Sequence, residues 1–297
     1  MSVTDVIQQL RPKVAKILKT NECSLQFEAA RGGDICQSWV LLGLRQKFFL
    51  KFRLAVAVDF FDVEAQALTE IRQSQSIGVP NVVSTGQVKS GAFIVLEHLD
   101  LTATDNDTDK LLGERLAALH LVQQKSFGWH RNNYIGATAQ INTFTDSWDT
   151  FFLDHRLTYQ CRLLQQHHSG RWLDQLSRLA GRMGEYFSGY DVFPSLLHGD
   201  LWAGNYAACH GAEPVIYDPA SYYGDRETDL AMTELFGGFS PAFYESYHQC
   251  LPIHSGYRHR KKLYQLYHLL NHANLFGGHY LTQSQSLLKQ LSDDPLS

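Results

Sequence analysis

The chain has 297 residues, 44% of them hydrophobic, and carries 26 Lys and Arg against 30 Asp and Glu, a net charge of −4. That length can bury a sizeable core as one large domain or two lobes. Slight acidity, with no Lys/Arg run longer than Arg260-Lys261-Lys262, excludes the electrostatic footprint of a nucleic-acid or membrane-surface protein and points to a small partner. The first twenty residues are amphipathic, without an apolar core of signal-peptide length, and no later span suits a membrane; a cytoplasmic monomer or homodimer is expected. The five cysteines, Cys23, Cys36, Cys161, Cys209 and Cys250, are scattered and form no CxxC pair, so neither a disulfide framework nor a zinc site is suggested.

In chain order, Val6, Ile7, Leu10, Val14, Ile17 and Leu18 recur at helical spacing over residues 4–18, with Thr4 placed to cap the start. Three apolar or alternating runs, 24–30, 36–42 and 47–52, predict a small antiparallel meander. The turn between the first two contains Gly32 and Gly33. Lys51 is the one ammonium in Phe48-Phe49-Leu50-Lys51-Phe52, and a buried charge needs a partner. A helix over 59–76 follows, built on Val63, Ala67, Leu68 and Ile71, and it offers Glu64, with Asp62 and Glu70 as competitors. The alternative is a Lys that snorkels to water beside solvated carboxylates. Strands at 81–88 and 91–96 precede a polar linker through Asp107.

Beyond it the pattern is mostly helical: a helix on Leu111, Leu112, Leu116, Leu119 and His120, then 148–165 and 172–187, with a Gly- and Asn-rich loop at 127–146. A short hairpin around His210-Gly211 is the exception before helices at 228–236, 241–248, 258–276 and 280–291. His268 and His272 sit at i,i+4 without the Glu of an HExxH site, which reads as helix packing.

The chemistry concentrates in His198-Gly199-Asp200-Leu201-Trp202-Ala203-Gly204-Asn205, with Asp218 thirteen residues after Asn205. Order and spacing fit a kinase template in which a loop Asp accepts the substrate hydroxyl proton and an Asn and a later Asp hold Mg²⁺. Phosphoryl transfer asks mainly for positioning and charge neutralisation, and Asn and Asp oxygens suit a hard ion. His-Gly-Asp alone also reads as a turn; the eight-residue string with Asp218 favours the site. In the same template Lys51 meets the ATP phosphates with Glu64 as its partner, and Gly32 and Gly33 stand where a glycine-rich loop would cover them, although GxGxxG is lacking and two glycines also make a plain hairpin turn. The backbone near Glu97 and Leu99 would receive adenine, dividing the chain into an N-terminal ATP-binding lobe, residues 1–98, and a mainly helical lobe, residues 99–297. No Walker A string is present.

These strings resemble the fructosamine/ketosamine kinases, a family of aminoglycoside-phosphotransferase-like, protein-kinase-like fold. The likeness runs nearly the whole length. It is strongest in the 198–205 string, in Asp218-Pro219-Ala220-Ser221-Tyr222-Tyr223-Gly224-Asp225-Arg226-Glu227, in Asp229-Leu230-Ala231-Met232 and in Leu270-Asn271-His272-Ala273-Asn274-Leu275-Phe276-Gly277-Gly278. The resemblance implies a bilobal α+β fold, an antiparallel sheet lobe with one key helix followed by a helical lobe. It implies ATP- and Mg²⁺-dependent phosphorylation of the third-carbon hydroxyl of ketosamines, the Amadori adducts of glycated small amines or glycated protein lysines. Such phosphates break down and free the amine, a deglycation repair.

Carried over by residue, Asp200 is the base, Asn205 and Asp218 the Mg²⁺ ligands, Lys51 the phosphate contact and Glu64 its ion-pair partner. Asp229 braces the catalytic loop through backbone hydrogen bonds and, like His198, is structural. Trp202 is either a wall against the sugar or a core residue. Gln140, Asn142, Trp148, Phe151, Phe152 and Arg156 also resemble the family and, facing the acceptor, are further substrate candidates, the two Phe reading as core. The glycine-rich turn departs from the family at Asp34 and Cys36, so its phosphate contacts stay unassigned; Cys36 is either an oxidation-sensitive thiol near ATP or an inert Cys. Three other functions compete. They are a kinase of another small alcohol such as an aminoglycoside or choline, a silent nucleotide-binding scaffold, and a metal-dependent hydrolase built on His198 and Asp200. The scaffold has no need of the base.

Overall fold

The structure is a computed structural model that describes residues 2–30, 35–43 and 45–293. Gly32 and Gly33, expected over the phosphates, lie outside the described residues.

Helix α1 (Val3–Ile17) begins on a capping box between Ser2 and Asp5, so Ser2 rather than Thr4 caps it. Strands β1 (Gln26–Ala29), β2 (Gln37–Leu42), β3 (Phe48–Leu54), β4 (Val82–Val88) and β5 (Gly91–Glu97) form an antiparallel sheet in the order β1-β2-β3-β5-β4, with helix α2 (Asp59–Ser74) inserted between β3 and β4. Period-two alternation sends Leu50, Phe52, Phe93 and Val95 to the face covered by Val6, Leu10 and Val14 of α1. Ala92, Ile94 and Leu96 go to the other face, against Phe61, Val63, Ala67, Leu68 and Ile71 of α2. Phe52 and Phe93 are wholly buried, each contributing about 1.5–3 kcal/mol of transfer free energy. Lys51 is one residue out of step with Leu50 and Phe52 and stands opposite Ile94. That parity turns its ammonium toward α2.

After β5 the chain enters the helical lobe. The stretch read as a polar linker contains β6 (Leu101–Thr102) and the first turn of α3 (Asn106–His120), capped by the Asp105 carboxylate on the Thr108 N–H at 2.8 Å. The loop at 127–146 holds a small hairpin, β7 (Asn133–Ile135) and β8 (Thr138–Gln140), turning at Gly136 with φ +60°. The helix expected at 148–165 runs from α4 (Trp148–Phe151) through a π-helical stretch, Phe152–Thr158, into α5 (Tyr159–His167). Its wider turn buries Phe152, Arg156 and Leu157 together. The helix expected at 172–187 breaks at Gly181, a poor helix former, into α6 (Trp172–Ala180) and α7 (Met183–Phe187).

Strand β9 (Ser195–Leu196) leads into the His198 string. The expected hairpin forms from β10 (Tyr206–Cys209) and β11 (Glu213–Ile216), with β6 added beside β10, and β12 (Tyr223–Gly224) pairs with β9. Helices α8 (Glu227–Leu235), α9 (Pro241–Cys250), α10 (Tyr257–Phe276) and α11 (His279–Asp293) close the lobe. A buried ion pair pins α10 to α8: the Arg260 guanidinium donates to Glu227 at 2.7 and 3.0 Å and lies 3.7 Å above the Tyr190 ring. No helix among the described residues is long and apolar enough to cross a membrane. All five cysteines are free, and burial pushes the Cys36 thiol up to about 11, which suppresses the reactive thiolate.

Candidate active site

The 198–205 string is held from beneath by one carboxylate. Asp229 of α8 accepts the backbone N–H of His198 at 2.7 Å and of Gly199 at 2.8 Å. Burial raises its carboxyl, but the hydrogen bond from His120, together with the electrostatic pull of the two imidazoles and the Gly199 N–H, outweighs that and holds it below the ordinary range. His198 ties two loops together. Its Nε2–H donates to the Tyr217 carbonyl at 3.0 Å and its Nδ1 accepts the Asp200 N–H at 3.2 Å, which sets one neutral tautomer. Burial lowers its pKa in keeping with that neutral state. Gly199 bends the loop at φ +85°, and a Cβ there would stand 2.2 Å from the Ala220 carbonyl oxygen, so only glycine fits.

Asp200 follows at the mouth of this turn. Burial, reinforced by the Asp218 and Asp229 carboxylates, pushes its pKa up to about 7. Asn205 donates its amide to the Asp200 carbonyl at 2.8 Å, which leaves the amide oxygen available. From the other side Lys51 reaches Glu64 of α2 at 2.6 Å and also binds Asp218. Burial alone would lower the Lys51 pKa, but the Asp218 and Glu64 charges outweigh it and hold the ammonium above its usual range. Asp62 instead accepts from Thr85, and Glu70 from Trp129 and Tyr223. Asp218 adopts φ +60°, a left-handed conformation that is uncommon outside glycine and clusters at functional sites. Its side chain stays 40% exposed. The available oxygens of Asn205 and Asp218 are hard donors of the kind Mg²⁺ takes.

Around this centre, Trp202 keeps its ring 42% exposed and lies over Gly204, where a Cβ would stand 2.3 Å from the indole. Glu97 closes β5 with its N–H on the Asn81 carbonyl at 2.8 Å, and Leu99 packs on the cluster of Ala207, Cys209 and Val215.

Gln140, Asn142 and Trp148 are not on the cleft wall expected of acceptor contacts: all three are buried and their polar groups are engaged. Gln140 donates to Asn133 and to the Ala220 carbonyl at 2.8 and 3.0 Å and accepts from Tyr267 at 2.7 Å. Asn142 donates to Asn133 and accepts from Arg156, both at 2.8 Å. Trp148 donates to Tyr264 at 3.0 Å. These bonds lace the β7–β8 hairpin to Ala220, two residues after Asp218, and to Arg156, and tie α4 to α10. Arg156 is wholly buried with its guanidinium 3.9 Å from the centre of the Tyr222 ring, and Phe151 and Phe152 are core. The i,i+4 histidines share a helix face without a common ligand: His272 Nδ1–H donates to the His268 carbonyl at 2.8 Å. Among the described residues, no three His, Cys, Asp or Glu are grouped to hold a metal.

His120, which the sequence places on the helix of Leu111, Leu112, Leu116 and Leu119 with no role of its own, belongs to this site. His120 ends α3 with its Nε2–H on Asp229 at 3.2 Å and its Nδ1 on the Tyr247 hydroxyl at 2.8 Å, behind the carboxylate that braces the loop. The signal was there: His120 is a polar residue on the apolar stripe of Leu112, Leu116 and Leu119.

Comparison with known proteins bears on the chain as a whole. The profile of the fructosamine kinase family matches residues 6–294. A Synechocystis protein named probable ketoamine kinase is 45% identical over 260 residues, 87% of this chain and 88% of its own length. The Arabidopsis thaliana chloroplastic protein-ribulosamine 3-kinase is 37% identical over 245 residues, 81% of this chain and 74% of its own. The crystal structure of a Haemophilus somnus protein assigned as a fructosamine-3-kinase superposes with a TM-score of 0.85 at 26% identity, covering 96% of this chain and 97% of that one. The two-lobed α+β architecture and the match along almost the whole chain agree: this protein belongs to the fructosamine kinase family, phosphotransferases with an alcohol group as acceptor.

Proposed function

We propose that the chain is an ATP- and Mg²⁺-dependent cytoplasmic kinase of the third-carbon hydroxyl of fructosamine- and ribulosamine-type adducts. The acceptor amine belongs to a small molecule or a protein lysine, and breakdown of the product phosphate frees it. One observation carries the reading: Lys51, Glu64 and Asp218 meet in one ion-paired cluster, joined through His198 and Asn205 to Asp200. The names borne by the relatives supply the acceptor class.

In this reading Lys51 binds the α- and β-phosphates of ATP, its direction set by Glu64. Asn205 and Asp218 hold Mg²⁺, which when bound neutralises charge on the phosphate oxygens. Asp200 takes the proton of the acceptor hydroxyl as that oxygen bonds to the γ-phosphorus and the bond to the ADP oxygen breaks. A base near 7 is matched to work around neutrality. Below that value Asp200 is protonated and cannot accept, so activity rises with pH through it. Trp202 presents its exposed ring to the sugar or its amine substituent.

Asp200→Asn tests the assignment. Turnover of ribulose-lysine should fall about a hundredfold to ten-thousandfold, while Mg²⁺-AMP-PNP still binds because Lys51, Asn205 and Asp218 remain. Equal turnover by the variant would overturn the base.

A further inference from the structure

Helix α2 carries Glu64, so whatever fixes α2 fixes the direction of Lys51. Its apolar face packs on the inner face of the sheet, and Phe61, Val63, Ala67, Leu68 and Ile71 belong to a cluster that runs on without a break to Leu112 and Leu116 of the helical lobe, whereas α1 and the outer sheet face form a separate one. A second, polar stripe on α2 is bonded across the cleft as well. Asp59 pairs with Arg131, and the Gln66 amide oxygen accepts from His130 Nε2 at 3.0 Å. Asp59, Gln66 and Glu70, at i, i+7 and i+11, share one side of the helix.

Glu70 is the centre of this stripe. One oxygen accepts from Trp129 Nε1 at 2.7 Å and the other from the Tyr223 hydroxyl at 2.8 Å. Both donors are buried, Trp129 at 3% and Tyr223 at 7% exposure, so removing the carboxylate leaves two unpaired donors inside the protein. Burial, followed by the hydrogen bond to Glu70 and then its charge, raises the Tyr223 pKa and keeps the hydroxyl a donor.

The donors stand on the platform that carries the chemistry. Tyr223 exchanges two backbone hydrogen bonds of 2.9 Å with Gly128, next to Trp129. It also pairs in β12 with Leu196 of β9, two residues before His198. It follows Asp218 by five residues. Glu64 and Glu70 are six residues apart, about 240° around the helix, so Glu64 faces Lys51 while Glu70 faces the other lobe. A helix gripped on one side transmits that grip to the other.

We propose that Glu70 is a positioning residue for phosphotransfer: by engaging Trp129 and Tyr223 it locks α2 to the helical lobe and holds Glu64 where it sets Lys51 against Asp218. The role rests on the phosphotransfer reading above. It differs from that of Glu64, because Glu70 touches neither Lys51 nor the metal-site residues; it acts through the helix.

Glu70→Ala and the milder Tyr223→Phe, each made alone and in a Lys51→Met background, test this. Turnover of ribulose-lysine and calorimetric affinity for Mg²⁺-AMP-PNP are read in all variants, with the thermal midpoint as a check on folding. Glu70→Ala should lower kcat about tenfold to a hundredfold, with the KM for the ketosamine unchanged. Tyr223→Phe should do so in the same direction by less. With no ammonium left to position in Lys51→Met, neither change should lower turnover or nucleotide affinity further. Equal losses in both backgrounds, or a lowered midpoint with kcat intact, would overturn the proposal. If the unaltered protein phosphorylates no ketosamine, the phosphotransfer reading fails, and the nucleotide-affinity cycle alone decides the role of Glu70: coupling to Lys51 supports it and additivity overturns it.

Discussion

His268 offers a measurement of how tightly α10 seals the interior behind the catalytic loop. The residue is 1% exposed, and neither ring nitrogen has a hydrogen-bond partner among the described residues. Burial, then the neighbouring His272, pushes its pKa down to about 3, against about 6.5 in an unfolded chain. A folded pKa below the unfolded one means that the unfolded chain binds the extra proton as pH falls below 6.5, so stability drops with pH. At pH 5 the difference amounts to about 2 kcal/mol relative to pH 8. His268→Leu removes that titration. It also removes two unpaired buried nitrogens, whose cost of about 1–3 kcal/mol each makes the substitution neutral or stabilising at pH 8. Urea unfolding of both proteins at pH 8 and pH 5 isolates the effect, because His120 and His198, also lowered by burial, remain in both. The loss between the two pH values should be smaller in the variant by about 2 kcal/mol. Identical losses would refute the reasoning.

Two further substitutions address the loop and the acceptor wall. Asp229→Asn turns one acceptor oxygen into a donor facing either the Gly199 amide or the His198 amide together with His120; it should cost about 1–3 kcal/mol of stability for each bond left unmade and lower kcat more than nucleotide affinity, read by urea unfolding and steady-state kinetics. Gly204→Ala drives a methyl group into the Trp202 ring; the KM for ribulose-lysine should rise with the KM for ATP unchanged, and no change in either would remove Trp202 from the acceptor wall.

What could be read from the chain, and what could not, divides along physical lines. The strands read at 47–52 and 91–96 announced themselves because a short apolar run is a local property, and Lys51 stood out because a lone ammonium in an apolar strand must find a partner. The pairing with Glu64 formed. The Asp200-to-Asn205 spacing survives folding because both residues lie on one short turn. Side-chain direction was not readable in the same way. Gln140, Asn142 and Trp148 occur in the right region, yet a polar residue in a loop carries no mark of whether it faces a cleft or a buried Tyr267 or Arg156. The β7–β8 hairpin was hidden because Asn132, Asn133 and Gly136 look like loop, and the π-helical stretch because its spacing departs little from 3.6. Glu70 looked like a competitor of Glu64 because sequence separation says nothing of which side of α2 meets which lobe.

The central claim is that a phosphoryl group passes from ATP to the third-carbon hydroxyl of a ketosamine. Phosphorus NMR of the products after incubating the protein with Mg²⁺-ATP and, in separate reactions, ribulose-lysine, fructose-lysine and an aminoglycoside tests it most directly. The expected result is a new phosphomonoester on a ketosamine, coupled to the proton on its third carbon, together with ADP. A phosphomonoester on the aminoglycoside alone, or ATP left intact with every acceptor, would contradict it.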